Sequence, residues 1–408
     1  MSTADRVRAA ELLAAIQGIR AVDHHAHACA PRRPEPAEAE RPDPLGRTPF
    51  PYPIRLRPTN PEYAEAWRAL YGYAHVDMTV AFAREALRAK HRLMQQMGTE
   101  FPSWVLDQAG IETMLVCMAS VGPGLDGPRF LWVPYADGLL HPFAGSQGTV
   151  QEPGEEPGPL RTGATLEEYV EGDVRAQLKR WKGAGAVAVK FGIAYRRPLD
   201  VTSVPAARAR AIYAEGQRGG EPGAADNRAL EDYLFRATAQ EAGTLGLAVH
   251  IHTGTGSEPY FHIGGSDPLL LEPFLNDEAL RGTRFVLLHG GWPFARQAGV
   301  MLQKPNVYLD FSAQTFLRST RALSQVLEEW LAWYPEKVLF GSDAYSEDTP
   351  LANWEEKVWL ATRTAREALS LALTRMIEDG QVTRARAEEL ARLVLRENAL
   401  RLYGLEVH

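Results

Sequence analysis

Histidines in this chain recur where short apolar runs end, and their spacing suits ligation of a metal ion. The segment AVDHHAHACA carries His24, His25 and His27. In an extended strand alternate side chains share a face, which groups Asp23, His25 and His27 on one side and Val22 and His24 on the other. His25 and His27 can then reach one ion, while His24 is predicted to turn toward a helix layer. Two imidazoles at i, i+2 are costly to bury without a partner, and imidazole is the commonest metal-ligating side chain. The arrangement returns in GLAVHIHTGTG, where His250 and His252 share a face and His252 lies nearer the end. His250, one layer deeper, suits a hydrogen-bonding role at least as well. RFVLLHGGWPF ends on His289, and KVLFGSDAYS brings Asp343 to the end of its run, a carboxylate able to ligate a metal and to take a proton from water. GAVAVKFG places Ala186, Ala188 and Lys190 opposite Val187, Val189 and Phe191. Lys190 could reach solvent or pair with a carboxylate, bridge two metals once carboxylated, set a charge near a metal, or act as a Schiff-base nucleophile.

These residues need a scaffold that brings several strand ends to one place. Eight runs read as strands: 19–25, 113–118, 129–134, 186–191, 247–252, 284–289, 306–311 and 338–342. Between them, 165–182, 227–242 and 317–334 carry apolar residues at i, i+3, i+4 spacing and begin near Thr, Ser or Asp caps. Alternating β and α segments imply parallel strands joined by right-handed crossovers, and eight of them suggest an α/β fold of the (β/α)8 TIM-barrel type. A doubly wound open sheet is the rival. In a barrel, the last inward side chain of each strand faces the loops that build the site. Small residues facing in and large ones facing out, as in GAVAVKFG, suit a narrow interior covered by helices. Residues 31–61 and 121–163 are rich in Pro and Gly and cannot form long helices or central strands. They read as long βα loops over the site, anchored by Phe50, Tyr52, Trp132 and Tyr135. Residues 361–402 read as a C-terminal helical extension, two amphipathic helices separated at Asp379-Gly380. The chain 1–408 is therefore expected to form one barrel domain, with the C-terminal helices a surface for contacts between copies in a homo-oligomer.

Composition narrows the function. Of 408 residues 45% are hydrophobic and 23% charged, with 44 Lys+Arg against 51 Asp+Glu and a formal charge of -7. That balance describes a folded, mildly acidic protein and argues against a nucleic-acid partner, since no net cationic field is present to release counterions. No apolar run is long enough to cross a membrane, and the first residues lack a leader pattern, so a cytoplasmic location is expected. Two cysteines, Cys29 and Cys117, cannot make a disulfide scaffold. A chain of this length buries enough surface to fold without a structural metal, so an ion would serve chemistry.

In order along the chain, His25-Ala-His27, Lys190 followed by Tyr195-Arg196, HTG at His252, LLHGGWPF at His289 and FGSDA at Asp343 resemble the metal-dependent amidohydrolase superfamily. Within it they are similar to the amidohydrolase-related group that includes the N-terminal part of fungal FluG-type proteins. The resemblance implies a (β/α)8 barrel with one or two divalent ions at the C-terminal strand ends, most often Zn(2+), with Mn(2+) as an alternative. It places His25, His27, Lys190, His252 and Asp343 at metal-holding positions, Lys190 as a carboxylated bridge between two ions. Asp343 matches the general base. His289 matches a residue that ligates a second metal in some members and acts as a catalytic acid or substrate orienter in others. Tyr195, Arg196 and Trp292 fall where substrate contacts are expected.

The expected reaction is metal-assisted hydrolysis of a C–N (amide) or ester- or lactone-type bond in a small organic substrate. The alternative on the same scaffold is a decarboxylase, hydratase or C–C hydrolase acting on a small carboxylate, which Arg196 would suit. A metal-free Schiff-base lyase using Lys190 and a non-catalytic binding barrel are two further readings.

Overall fold

Eight short parallel strands follow one another along the chain: β1 (Ala21–Ala26), β2 (Ile111–Cys117), β3 (Phe130–Val133), β4 (Ala188–Phe191), β5 (Ala248–His252), β6 (Phe285–Leu288), β7 (Val307–Asp310) and β8 (Val338–Leu339). Each lies within, or overlaps, a run expected from the sequence. The structure, a computed structural model, describes residues 3–29, 53–57, 59–118, 124–143, 163–257, 260–346 and 349–405. Strands β1 to β3 and β4 to β8 each pair in order. Single bridges Trp132 to Ala186 and Tyr135 to Lys190 join β3 to β4, and His27 pairs with Tyr345 beyond β1 and β8. Backbone bonds from His24 N to Phe340 O and from Asp343 N to His25 O complete that seam. The sheet is therefore a closed (β/α)8 barrel, and the open doubly wound alternative is excluded.

The interior is lined by Val22, Leu115, Val133, Ala188, Ala248, Val286, Leu288 and Leu339, which pack together as one cluster. Val189, Phe191, Val249, Ile251, Phe285 and Leu287 face the other way and join the larger cluster under the helices. Ala188 and Lys190 thus share the inward row of β4 as expected. Ala186 does not: it packs with the outer cluster while Val187 touches the inner one, because regular pairing of β4 begins only at Ala188.

Local capping chemistry explains the helices. Thr165 and Glu168 form a reciprocal capping box, and the helix they open continues through a π turn, Val170–Arg175, to Gly183. The helix expected over 317–334 is instead two pieces, Gln314–Leu317 and Thr320–Leu331, because Ser319 is extended and caps the second through Ala322 N. The C-terminal extension begins earlier than expected, at Trp354, runs to Glu378 and ends before Gly380, whose φ of 70° an L side chain rarely adopts. Its last segment, Asn398–Tyr403, sends Ala399 and Leu402 into the barrel cluster, so the extension supplies the barrel floor. Most of the two Pro/Gly-rich loops, with the expected anchors Phe50 and Tyr52, lies outside the described residues. Trp132 and Tyr135 lie within them.

Helices Pro61–Tyr71 and Val80–Met97 form a smaller core with Leu351, Ala352 and Leu360. Inside it Lys90 Nζ lies 3.2 Å from Glu355 and 2.9 Å from Glu356, and Tyr71 donates to Glu356 at 2.6 Å. Burial pushes the Glu355 carboxyl up, although Lys90 pulls it the other way. Lys90→Met is expected to cost about 3–5 kcal/mol in urea unfolding, because it strands two carboxylates away from water. Among the described residues no helix is long and apolar enough to cross a membrane.

Candidate active site

The barrel mouth gathers side chains from the ends of β1, β5, β6 and β8. His25 Nε2 and His27 Nε2 lie 3.2 and 3.3 Å from Asp343 Oδ1. His289 Nδ1 lies 3.8 Å from Asp343 Oδ2, and His289 Nε2 is 3.1 Å from His252 Nδ1. These residues, drawn from positions as far apart as 25 and 343, converge as the strand-end reading anticipates. Lys190 is buried nearby, with Nζ 5.9 Å from the centre of the Tyr135 ring.

Backbone irregularities deliver several of these groups. The pairing of β1 with β2 slips between Asp23 and Ala26, placing one extra residue in β1. The expected phase is corrected: Val22 lines the interior, so His24 two residues on also points inward and not to the helix layer, and the bulge then carries His25 to the same side. The His24 ring lies 5.5 Å from that of His250. His289 follows Leu288, which already faces inward, so alternation alone would send it outward. Its φ of 63° reverses the side chain into the mouth. Asp343 has a φ of 57°. The Gly-Gly after His289 is equally constrained, since a Cβ on Gly290 would stand 2.1 Å from Trp330 Cη2. In the HTG segment a Cβ on Gly254 would meet Trp292 O at 2.3 Å.

Hydrogen bonds couple the histidine tautomers to one another. His289 Nδ1 lies 2.9 Å from Ser312 Oγ and its Nε2 faces His252 Nδ1. If His289 donates to Ser312, it must accept from His252 Nδ1–H, which leaves a lone pair on His252 Nε2. That atom and His25 Nε2 are both buried without a hydrogen-bond partner. His25 Nδ1 lies 3.3 Å from Cys117 Sγ, and His27 Nδ1 2.9 Å from the Tyr135 hydroxyl. A ligating histidine ordinarily engages its second nitrogen in this way.

Burial, reinforced by Lys190, holds His25 well below the ordinary imidazole range and His252 at about 3. Burial also depresses His289, against the pull of Asp343. Burial alone would raise the Asp343 carboxyl, but His289, His27 and Lys190 bring it down to about 2. At neutral pH His25, His252 and His289 are therefore neutral and Asp343 is ionised.

Of the expected substrate contacts, Tyr195 places its ring 4.5 Å from His252 and 5.1 Å from Phe261, forming an aromatic wall. The positive charge of Arg196 acts on Glu231 and His141, in a cluster where Arg197 also pairs with Glu231 at 2.9 Å and Asp232 at 2.7 Å. Trp292 is half-buried, and its carbonyl accepts from Thr255 N at 2.7 Å.

Sequence reading missed the layer below. Asp310 Oδ2 lies 2.6 Å from His24 Nε2, while Oδ1 accepts from His289 N at 2.5 Å. The Tyr403 hydroxyl lies 3.0 Å from His24 Nδ1 and 2.7 Å from His250 Nε2. The alternation of Tyr308, Asp310 and Ser312 could have revealed the β7 members; nothing local marks Tyr403. Tyr403→Phe is expected to cost about 1–3 kcal/mol in unfolding experiments, because one lost hydroxyl leaves two buried ring nitrogens unpaired.

A closed barrel with histidines and a carboxylate at its C-terminal mouth defines a class, and comparison with known proteins agrees. Residues 154–405 match the amidohydrolase family, and the chain belongs to it. It is an enzyme of the amidohydrolase superfamily. It is 29% identical over 187 residues to Protein fluG of Emericella nidulans; the match takes in 44% of this chain and only 20% of that relative's length. Among solved structures, a protein from Lactobacillus casei assigned as a metal-dependent hydrolase superposes with a TM-score of 0.69 at 19% identity, covering 97% of this chain and 99% of that one. Glucuronate isomerase from Caulobacter crescentus gives 0.68 at 14% identity, covering 100% and 96%. At these identities both show the fold.

Proposed function

We propose that the chain is a metal-dependent hydrolase that cleaves a C–N (amide) or ester- or lactone-type bond of a small organic molecule with activated water. The observation that carries this reading is the pair of buried nitrogens without a hydrogen-bond partner, His25 Nε2 and His252 Nε2, in a mouth that also holds an ionised carboxylate. The donor set fits a divalent ion. In tetrahedral coordination with ligand bonds near 2.0–2.1 Å, neighbouring donors stand about 3.3 Å apart. The His25–Asp343 and His27–Asp343 separations of 3.2 and 3.3 Å have that spacing.

His25, His27, His252 and Asp343 would hold the ion. A divalent cation there, zinc or manganese, would acidify water and polarise the bond under attack, worth several kcal/mol at the transition state. Asp343 takes the proton from the attacking water at a carboxylate oxygen and returns it to the leaving group. His289 is held by Ser312 and by its own backbone bond to Asp310, and its ring fixes the orientation of His252 across the 3.1 Å contact. Tyr195 and Phe261 shield the His252 side from water, and Lys190 supplies positive charge or, once carboxylated, a bridge to a second ion.

Chelator treatment of the full chain is expected to abolish hydrolysis in a screen of amides, esters and lactones, and zinc or manganese to restore it. Release of carbon dioxide from a carboxylate substrate, with no hydrolysis of any member of the screen, would overturn this reading in favour of a decarboxylase.

A further inference from the structure

We propose that a second, sulfur-containing cation site lies one layer below the mouth, formed by Cys117, His250 and the inner nitrogen of His25. All three side chains are buried, and each offers a ligand atom within 4.8 Å of the others. Cys117 Sγ stands 3.3 Å from His25 Nδ1. Around a tetrahedral ion with a metal–sulfur bond of about 2.3 Å and a metal–nitrogen bond of about 2.0 Å, that edge would be about 3.5 Å. A shift of a few tenths of an ångström therefore converts the sulfur–nitrogen contact into two ligand bonds. His250 supplies the independent observation. Its Nε2 is engaged by Tyr403, but its Nδ1 is buried with no hydrogen-bond partner. Such an atom is costly to leave unsatisfied, and a cation would complete it.

The donors set the class of ion. One thiolate and two imidazoles favour Zn(2+), Co(2+) or Cu(+) over Mn(2+) and Mg(2+), which prefer oxygen. The mouth set of imidazoles with a carboxylate accepts manganese as well, so the two sites differ in selectivity. Filling the deeper site releases the Cys117 thiol proton and, when His25 also serves the mouth, the Nδ1 proton of its ring; both go to solvent and His25 becomes a bridging imidazolate. The thiolate offsets the positive charge of Lys190, which would otherwise oppose a cation. The deeper site does not depend on the hydrolase reading.

The full chain, stripped with chelator and reloaded with Co(2+), is expected to bind two ions and to show a sulfur-to-cobalt charge-transfer band in the near ultraviolet. Mn(2+) should load one equivalent and give no such band. Cys117→Ser should remove the band and one cobalt, whereas Asp343→Asn should weaken the other equivalent and keep the band. Cys29 lies 3.0 Å from Ser346 Oγ, and Cys29→Ser should leave the band intact. Because the chain has two cysteines, a band in that variant comes from Cys117 even if Cys117→Ser does not fold. No band in the wild-type protein, or a band that survives Cys117→Ser, overturns the proposal.

Discussion

Asp343→Asn is expected to lower kcat by about 10³-fold or more on any substrate the enzyme hydrolyses, with the thermal midpoint of the ion-free protein nearly unchanged. Two losses combine. A carboxamide cannot take the proton from the attacking water, and general-base assistance is worth roughly 10²–10⁴-fold. It also removes the negative charge that stands 3.2 and 3.3 Å from His25 and His27, so ion content should fall as well. The fold should survive for a specific reason. Asp343 sits at a φ of 57°, where asparagine is among the few non-glycine residues that reside readily, and its N–H bond to His25 O is retained. Asp343→Ala lacks that tolerance and should be less stable than Asp343→Asn by roughly 1–2 kcal/mol. Steady-state kinetics, metal analysis and circular dichroism on both variants check the assignment. Near-normal turnover in Asp343→Asn would remove Asp343 from its role.

The barrel was legible because each strand is a short apolar run set off by turn residues, and because the mouth groups fall at strand ends. Asp343 stood out by its place at the end of an apolar run, and His252 by its partner at i-2. Alternation failed where the backbone departs from ideal pleating. A single extra residue in β1 brings His24 and His25 to the same side, which no count from Val22 could give. His289 reached the mouth through a left-handed residue rather than through its parity. Tyr403 shows a different limit. It meets His24 across 379 residues of chain, and only the folded course of the C-terminal helices brings it to the barrel floor.

That floor and mouth together make acid a severe stress for the ion-free protein. His25, His250, His252 and His289 are all held below the ordinary imidazole value of 6.5, in each case mainly by burial. In the unfolded chain they protonate as pH falls through 6.5; in the folded chain they stay neutral, with His252 at about 3. The unfolded state therefore binds more protons below pH 6.5, and stability present above that pH is lost as pH falls, by about 1.4 kcal/mol per histidine per pH unit. Raised carboxyls work against this, as Glu231 and Glu355 do in part and Asp23 does most clearly. Burial raises the Asp23 carboxyl from 3.8 to about 7, so folded Asp23 keeps a proton that the unfolded chain has released, and its contribution grows as pH drops from 7 toward 3.8. The depressed histidines, His141 at about 4 among them, outnumber the raised carboxyls, so unfolding takes up protons and stability falls between pH 6 and 5, by about 1.4 kcal/mol per pH unit for each net proton. Urea midpoints of chelator-treated protein across that range measure the slope directly. His250→Gln should flatten it by about one proton, and a pH-independent midpoint would show that these imidazoles are not buried neutral. Zinc should raise stability across this whole range, because the ion binds the folded state, whose rings are already deprotonated there.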